Sequence, residues 1–167
     1  MLILKNILVN IVFILSWNMT IFFMCIKIKD TDFNPEKKMF REKDFEKSGT
    51  FYIEKLKIKK WKDYLPQYAS KTGFSKKSFI SKEINYINQF VAETCRAEWN
   101  HKMCLLAIFP IILVNSAPMN YIFSFLVLVT NIPYIFIQRF NRLRLLQLKK
   151  HLFSKKQKYE KVLANKG

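Results

Sequence analysis

The stretch ILVNIVFILSWNMTIFFMCI, residues 7–26, decides the class of fold. It carries no charge, and at about 1.5 Å of helical rise per residue it spans the roughly 30 Å hydrocarbon core of a bilayer. Asn10, Ser16, Asn18 and Thr20 weaken its apolar character without forbidding insertion. A cleaved signal peptide competes as a reading, because Lys5 precedes the run. No small-x-small cleavage site follows it, however, and the flank Lys27-Ile28-Lys29 is basic, so the run reads as a transmembrane helix.

Outward from this helix the residues sort into two solvents. The averages, 50% hydrophobic and 25% charged over 167 residues, would suit an ordinary globular domain. Yet apolar residues concentrate in residues 7–26 and 103–137, and the charges lie almost entirely between and after those blocks. The second block breaks at Asn115-Ser116-Ala117-Pro118-Met119-Asn120, a polar turn with a proline. Its earlier arm carries Pro110, and its later arm is near the lower length limit for a span. Either two full spans or a re-entrant hairpin fits, and both return the chain to the side it left. The expected fold is mainly α: an integral membrane protein with one N-terminal transmembrane helix (1–26), a basic segment (27–102), a membrane hairpin of two helices (103–137) and a basic tail (138–167).

Lys and Arg set the orientation. Residues 1–26 hold only Lys5, residues 27–102 hold 18, the turn at 115–120 holds none and residues 138–167 hold 10. The rule that positive flanks stay inside puts the middle segment and the tail in the cytoplasm and the N-terminus outside, in a multi-pass protein of the cell membrane. A net charge of +17 would suggest nucleic acid for a soluble protein. Here attraction to anionic lipid headgroups explains it more simply, so membrane lipids and not nucleic acid are the expected partners. Cys25, Cys95 and Cys104 are odd in number and give neither a disulfide framework nor a zinc spacing; no metal is expected.

Residues 27–60 mix Lys with acids and carry Phe33, Phe40, Phe45, Phe51 and Tyr52 at irregular spacing, as suits a segment on a membrane surface. Lys55-Leu56-Lys57-Ile58-Lys59 alternates like a strand, although five residues cannot make a sheet alone. Trp61 suits the headgroup level. Residues 66–78, with Pro66 and Gly73, read as a loop. Ser81 then reads as the N-cap of a helix whose apolar positions are Ile84, Ile87, Val91 and Cys95.

That helix ends in Glu93-Thr94-Cys95-Arg96-Ala97-Glu98-Trp99-Asn100-His101, directly before the second apolar block. Glu98 and His101 are three apart and share a helix face, as do Glu93 and Arg96. A carboxylate beside an imidazole holds one tautomer and raises its basicity, which a general base acting on a hydroxyl requires. The plainer explanation is a set of polar residues finishing a helix at the interface, and spacing alone favours it. After the hairpin comes Gln138-Arg139-Phe140-Asn141-Arg142-Leu143-Arg144, whose arginines suit phosphates or carboxylates and whose amides suit sugar or phosphate. Their plainer explanation is anchoring on the positive-inside side. A returning hairpin would bring both motifs to the same membrane face. Asn131, within the last apolar run and two residues before Pro133, reads as polar glue to another helix.

These residues resemble the glycosyl-4,4'-diaponeurosporenoate acyltransferase family, which acylates the sugar of a glycosylated carotenoid in staphyloxanthin-type pigment synthesis. The resemblance rests on Glu93-Thr94-x-Arg96-Ala97-Glu98-x-x-His101, on Asn131-x-Pro133 and on Gln138-Arg139-x-Asn141-Arg142-x-Arg144-Leu145, with Phe45-Glu46-Lys47-x-Gly49-x-Phe51 and Trp61-Lys62 upstream. Leu143 departs from it, standing where a proline is expected. The resemblance implies transfer of a fatty acyl group to a glucose hydroxyl, the C6 position in that pathway, of a glycosylated C30 carotenoid or related glycolipid.

The candidate catalytic residues are then His101, Glu98 and Glu93, and the candidate substrate-binding residues are Arg96, Gln138, Arg139, Asn141, Arg142 and Arg144. No cofactor is expected beyond an acyl thioester donor, acyl-CoA or acyl-carrier protein. The His-x4-Asp signature of glycerolipid acyltransferases is absent, because residue 106 is Leu106. The competing class is a small membrane scaffold or lipid-binding protein without enzymatic activity.

Overall fold

A computed structural model describes residues 2–66 and 84–164. The loop expected at 66–78 and the N-cap at Ser81 fall almost wholly outside the described residues. Among those described there is no strand. The helices are α1 (Leu2–Lys27), two short helices α2 (Thr50–Glu54) and α3 (Ile58–Trp61), then α4 (Ile84–Leu105), α5 (Ile108–Val114) and α6 (Met119–Ala164). Three stretches, Ile3–Lys27, Tyr86–Val114 and Met119–Lys155, are long and apolar enough to cross a membrane, which marks a membrane protein. The chain divides into two compact units, Met1–Phe33 with Arg96–Gln138, and Asn34–Cys95 with Arg139–Gly167.

In the first unit α1 shows two faces. Leu8, Val12, Leu15, Met19 and Phe22 recur at helical spacing and are half or more exposed, the stripe expected of a helix whose solvent is lipid. The opposite face carries Ile7, Phe13, Ile14 and Trp17, which pack on a core of Ala107, Ile111, Phe123 and Val127. Two polar ties join it. Asn10 and Asn115 exchange amide hydrogen bonds of 2.8 and 2.9 Å, and each also donates to the carbonyl four residues earlier, Asn6 and Ile111. Trp17 Nε1 donates to the Met103 carbonyl at 3.2 Å. The break between α4 and α5 precedes Pro110, which sits in the first turn of α5, where a missing N–H costs least.

In the second unit three of the apolar positions read along α4 face inward: Cys95 is buried, and Ile87 and Val91 pack with Leu145 of α6, flanked by Phe90, Leu146, Leu148 and Leu152. The alternating run at 55–59 is not a strand. Lys57 adopts a left-handed conformation that starts α3, and Trp61 Nε1 closes the turn on the Leu56 carbonyl at 2.8 Å. With no partner strand to take its backbone groups, the local turn wins over the alternation. Residues 138–164 of the basic tail continue α6, a helix of 46 residues. At about 1.5 Å per residue it is roughly twice as long as the hydrocarbon core is thick, so only part of it can lie in lipid.

Candidate active site

His101 lies on α4 within the first unit, partly buried. Its Nδ1 is 3.0 Å from Oδ1 of Asn131 on α6, and its ring stacks on Tyr134 with centroids 4.9 Å apart and planes within 12°. Asn131 is itself buried, and its Nδ2 donates to the Val127 carbonyl at 2.9 Å. The polar residue read as glue therefore does reach a second helix, and the group it reaches is the candidate base. Pro133, inside the same helix, has no N–H to offer the carbonyl of Val129.

Glu98, three residues before His101, is fully buried and pairs with Lys102 at 2.5 Å, one turn on along the same helix. An acid in this setting needs a cation beside it, because an unpaired buried carboxylate is costly. Arg96 binds the end of α1: its Nη1 donates to the carbonyls of Cys25 at 2.8 Å and Ile28 at 3.3 Å, its Nη2 pairs with Asp30, and its guanidinium sits 4.4 Å over the Phe33 ring. A cation on the last carbonyls of a helix satisfies orphan acceptors and opposes the negative end of the helix dipole.

The arginine cluster belongs to the second unit, and its members differ. Arg139 is 7% exposed and grips the fully buried Glu46 twice, Nε to Oε1 at 2.7 Å and Nη2 to Oε2 at 2.6 Å, with further bonds to the carbonyls of Met39 and Arg41. Tyr52 donates its hydroxyl to the same Oε1, and the backbone N–H of Lys43 reaches Oε2 at 2.6 Å. Burial by itself would raise the Glu46 carboxyl, but the bonds from Arg139, Tyr52 and Lys43 outweigh it and hold the group below the ordinary carboxylate range. Burial, and then the Glu46 carboxylate, push the Tyr52 phenol up, so it stays a donor. Arg142 is 1% exposed, its guanidinium 5.7 Å over the Phe40 ring. Arg144 alone of the three is exposed, resting over Phe140. Asn141, in the same unit, is partly buried, as are Glu93 on α4 and, in the first unit, Gln138.

The clasp around Glu46 depends on an unusual backbone. Lys47, Ser48 and Gly49 all have positive φ, at 44°, 56° and 95°. Gln147 Nε2 holds the Ser48 carbonyl at 2.9 Å, and Glu42 accepts from the Ser48 N–H. Among the described residues no group of three or more His, Cys, Asp and Glu is placed to hold a metal ion. The partners that sequence reasoning passed over are Lys102, Tyr134, Glu46 and Tyr52. Lys102 was within reach of the i,i+4 rule; Glu46 lies 93 residues from Arg139, beyond any local pattern.

Comparison with known proteins adds the identity. The family model for glycosyl-4,4'-diaponeurosporenoate acyltransferase matches residues 36–151. A protein of that name from Staphylococcus aureus strain MRSA252 is 31% identical over 126 residues, covering 73% of this chain and 74% of its own. Its counterpart from strain Newman is 29% identical over 138 residues, covering 80% and 82%. No solved structure matches the chain. With a family model over more than half of its length and relatives aligned over most of both chains, the chain belongs to the glycosyl-4,4'-diaponeurosporenoate acyltransferase family and is an acyltransferase.

Proposed function

We propose that this enzyme moves a fatty acyl group from an acyl thioester, acyl-CoA or acyl-carrier protein, to the C6 hydroxyl of the glucose on a glycosylated C30 carotenoid, the closing step of a staphyloxanthin-type pigment. The names of the matched relatives support the carotenoid acceptor. The observation that carries the chemistry is His101, a histidine held in one orientation by Asn131 and Tyr134. Its free ring nitrogen takes the proton of the sugar hydroxyl as the oxygen attacks the thioester carbonyl; the tetrahedral intermediate then collapses to the ester, and the expelled thiolate takes the proton back.

Glu98, paired with Lys102 on the helix of His101, favours the imidazolium as it forms, and Glu93 stands earlier on the same helix. Arg144, with Asn141, is assigned to the donor's phosphates. Arg96 and Arg139, buried as they are, support binding by fixing backbone and not by reaching substrate, and the buried Arg142 rests over Phe40. The Lys and Arg distribution supports an N-terminus outside, cytoplasmic basic segments, and a hairpin turning at 115–120.

Purified protein in detergent, given acyl-CoA and the glycosylated carotenoid, should yield a product heavier by one acyl group. His101→Gln should lower that rate on the order of 10²- to 10⁴-fold with insertion intact, the range general base catalysis contributes. Product from a different glycolipid alone would replace the acceptor, and full activity of His101→Gln would remove the base.

A further inference from the structure

We propose that Asn131 is the positioning residue that fixes the tautomer of His101, placing the proton on Nδ1 and leaving Nε2 as the basic nitrogen. The inference rests on the reading of His101 as the base and says how that base is prepared. It starts from the amide. The Val127 carbonyl can only accept, so the Asn131 atom that contacts it at 2.9 Å must be Nδ2, and Oδ1 is the atom turned to His101. Oδ1 can only accept in turn, so the ring nitrogen 3.0 Å away must carry hydrogen. A neutral imidazole has one N–H, and with that N–H on Nδ1 the lone pair is on Nε2.

The surroundings reinforce the choice. Free imidazole side chains favour hydrogen on Nε2, so the environment has to impose the opposite form. Tyr134 stacked on one ring face holds the plane of the ring, and the Asn131 acceptor decides which edge faces it, because a ring flipped by half a turn would keep the stack but lose the N–H bond. Asn131 lies on α6 and is anchored one turn back along its own helix, so the acceptor is presented from a rigid element. Glu98, the residue the sequence nominates for this task, is engaged with Lys102. A neutral amide also differs from a carboxylate in kind: it orients the ring without holding a proton on both nitrogens, and the base stays ready to accept.

The chain has two histidines, His101 and His151, so a His151→Gln background leaves one ring to observe. Protein labelled with 15N-histidine, in detergent above neutral pH, should show a pyrrole-type Nδ1 and a pyridine-type Nε2. The reverse pattern would overturn the assignment without any further variant. Asn131→Leu should lose the bias and cut kcat on the order of 10²-fold or more, the scale of a displaced general base, with KM for the acceptor unchanged. Asn131→Asp separates the two bonds of the amide: it keeps an acceptor for Nδ1 and loses the donor to Val127. If Asn131 only ties α6 together, both variants leave the Nδ1 proton where it was or lose it alike, and the proposal fails. If it positions His101, the aspartate variant retains the Nδ1–H signature and the leucine variant does not. Should His101→Gln remain active while the Nδ1–H form is seen, the tautomer stands and the base assignment alone falls.

Discussion

Arg139 shows how a functional-looking side chain can be spent on the fold. Its guanidinium, carboxylate partner and phenol neighbour are all buried, so removing one member strands the others. Arg139→Leu should destabilise the detergent-solubilised protein by about 3–5 kcal/mol, the cost of leaving a buried charge without its partner. The double variant Glu46→Leu with Arg139→Leu should recover most of the loss; thermal unfolding of both measures it. Because Glu46 is held below the ordinary carboxylate range, its contribution is complete above the unfolded Glu value of about 4.3 and is lost as pH falls through the folded value. Acid should therefore loosen the unit, and Glu46→Gln should flatten that dependence in stability measured across pH. In the sequence all three arginines look alike, since spacing does not distinguish the exposed Arg144 from the buried Arg139 and Arg142. The histidine was legible as a candidate, but its partner was not: Glu98 is near in sequence, whereas Asn131 is brought in by a second helix 30 residues on.

Among the helices, α1 carries the clearest message, because its two faces meet two different solvents. Asn10, which weakens the apolar run when it is read alone, becomes intelligible once Asn115 is opposite it. Paired amides between helices in an apolar setting are worth about 0.6 kcal/mol on average, up to about 1.7. A double-mutant cycle of Asn10→Leu and Asn115→Leu, followed by unfolding in mixed detergent, should return a coupling in that range, and none would remove the tie. Gly49 has φ of 95°, and a Cβ there would meet Phe140 at an ordinary 3.7 Å. Gly49→Ala should then cost about 1–2 kcal/mol for the left-handed backbone alone, with no steric surcharge. Apolar blocks and the inward positions of α4 were readable because periodicity records burial directly. The left-handed turn at residues 47–49 and the fate of residues 55–59 were not, because distant contacts decide them.

Over the full chain, the charge distribution is what supports the proposed topology. Reporter fusions should place residue 167 and the basic segment after α1 in the cytoplasm and the turn at 115–120 outside if the hairpin crosses fully. A cytoplasmic turn would instead mark the hairpin as re-entrant. Orientation matters to the proposed chemistry, since acyl-CoA and acyl-carrier protein are cytoplasmic and a base at His101 would have to work where they arrive. The most direct test of this account is mass spectrometry of lipids from cells that make the glycosylated C30 carotenoid, expressing either the unaltered chain or His101→Gln to equal membrane levels. A species heavier by one fatty acyl group with the former, and its near absence with the latter, is the predicted result. Equal amounts from both would contradict it.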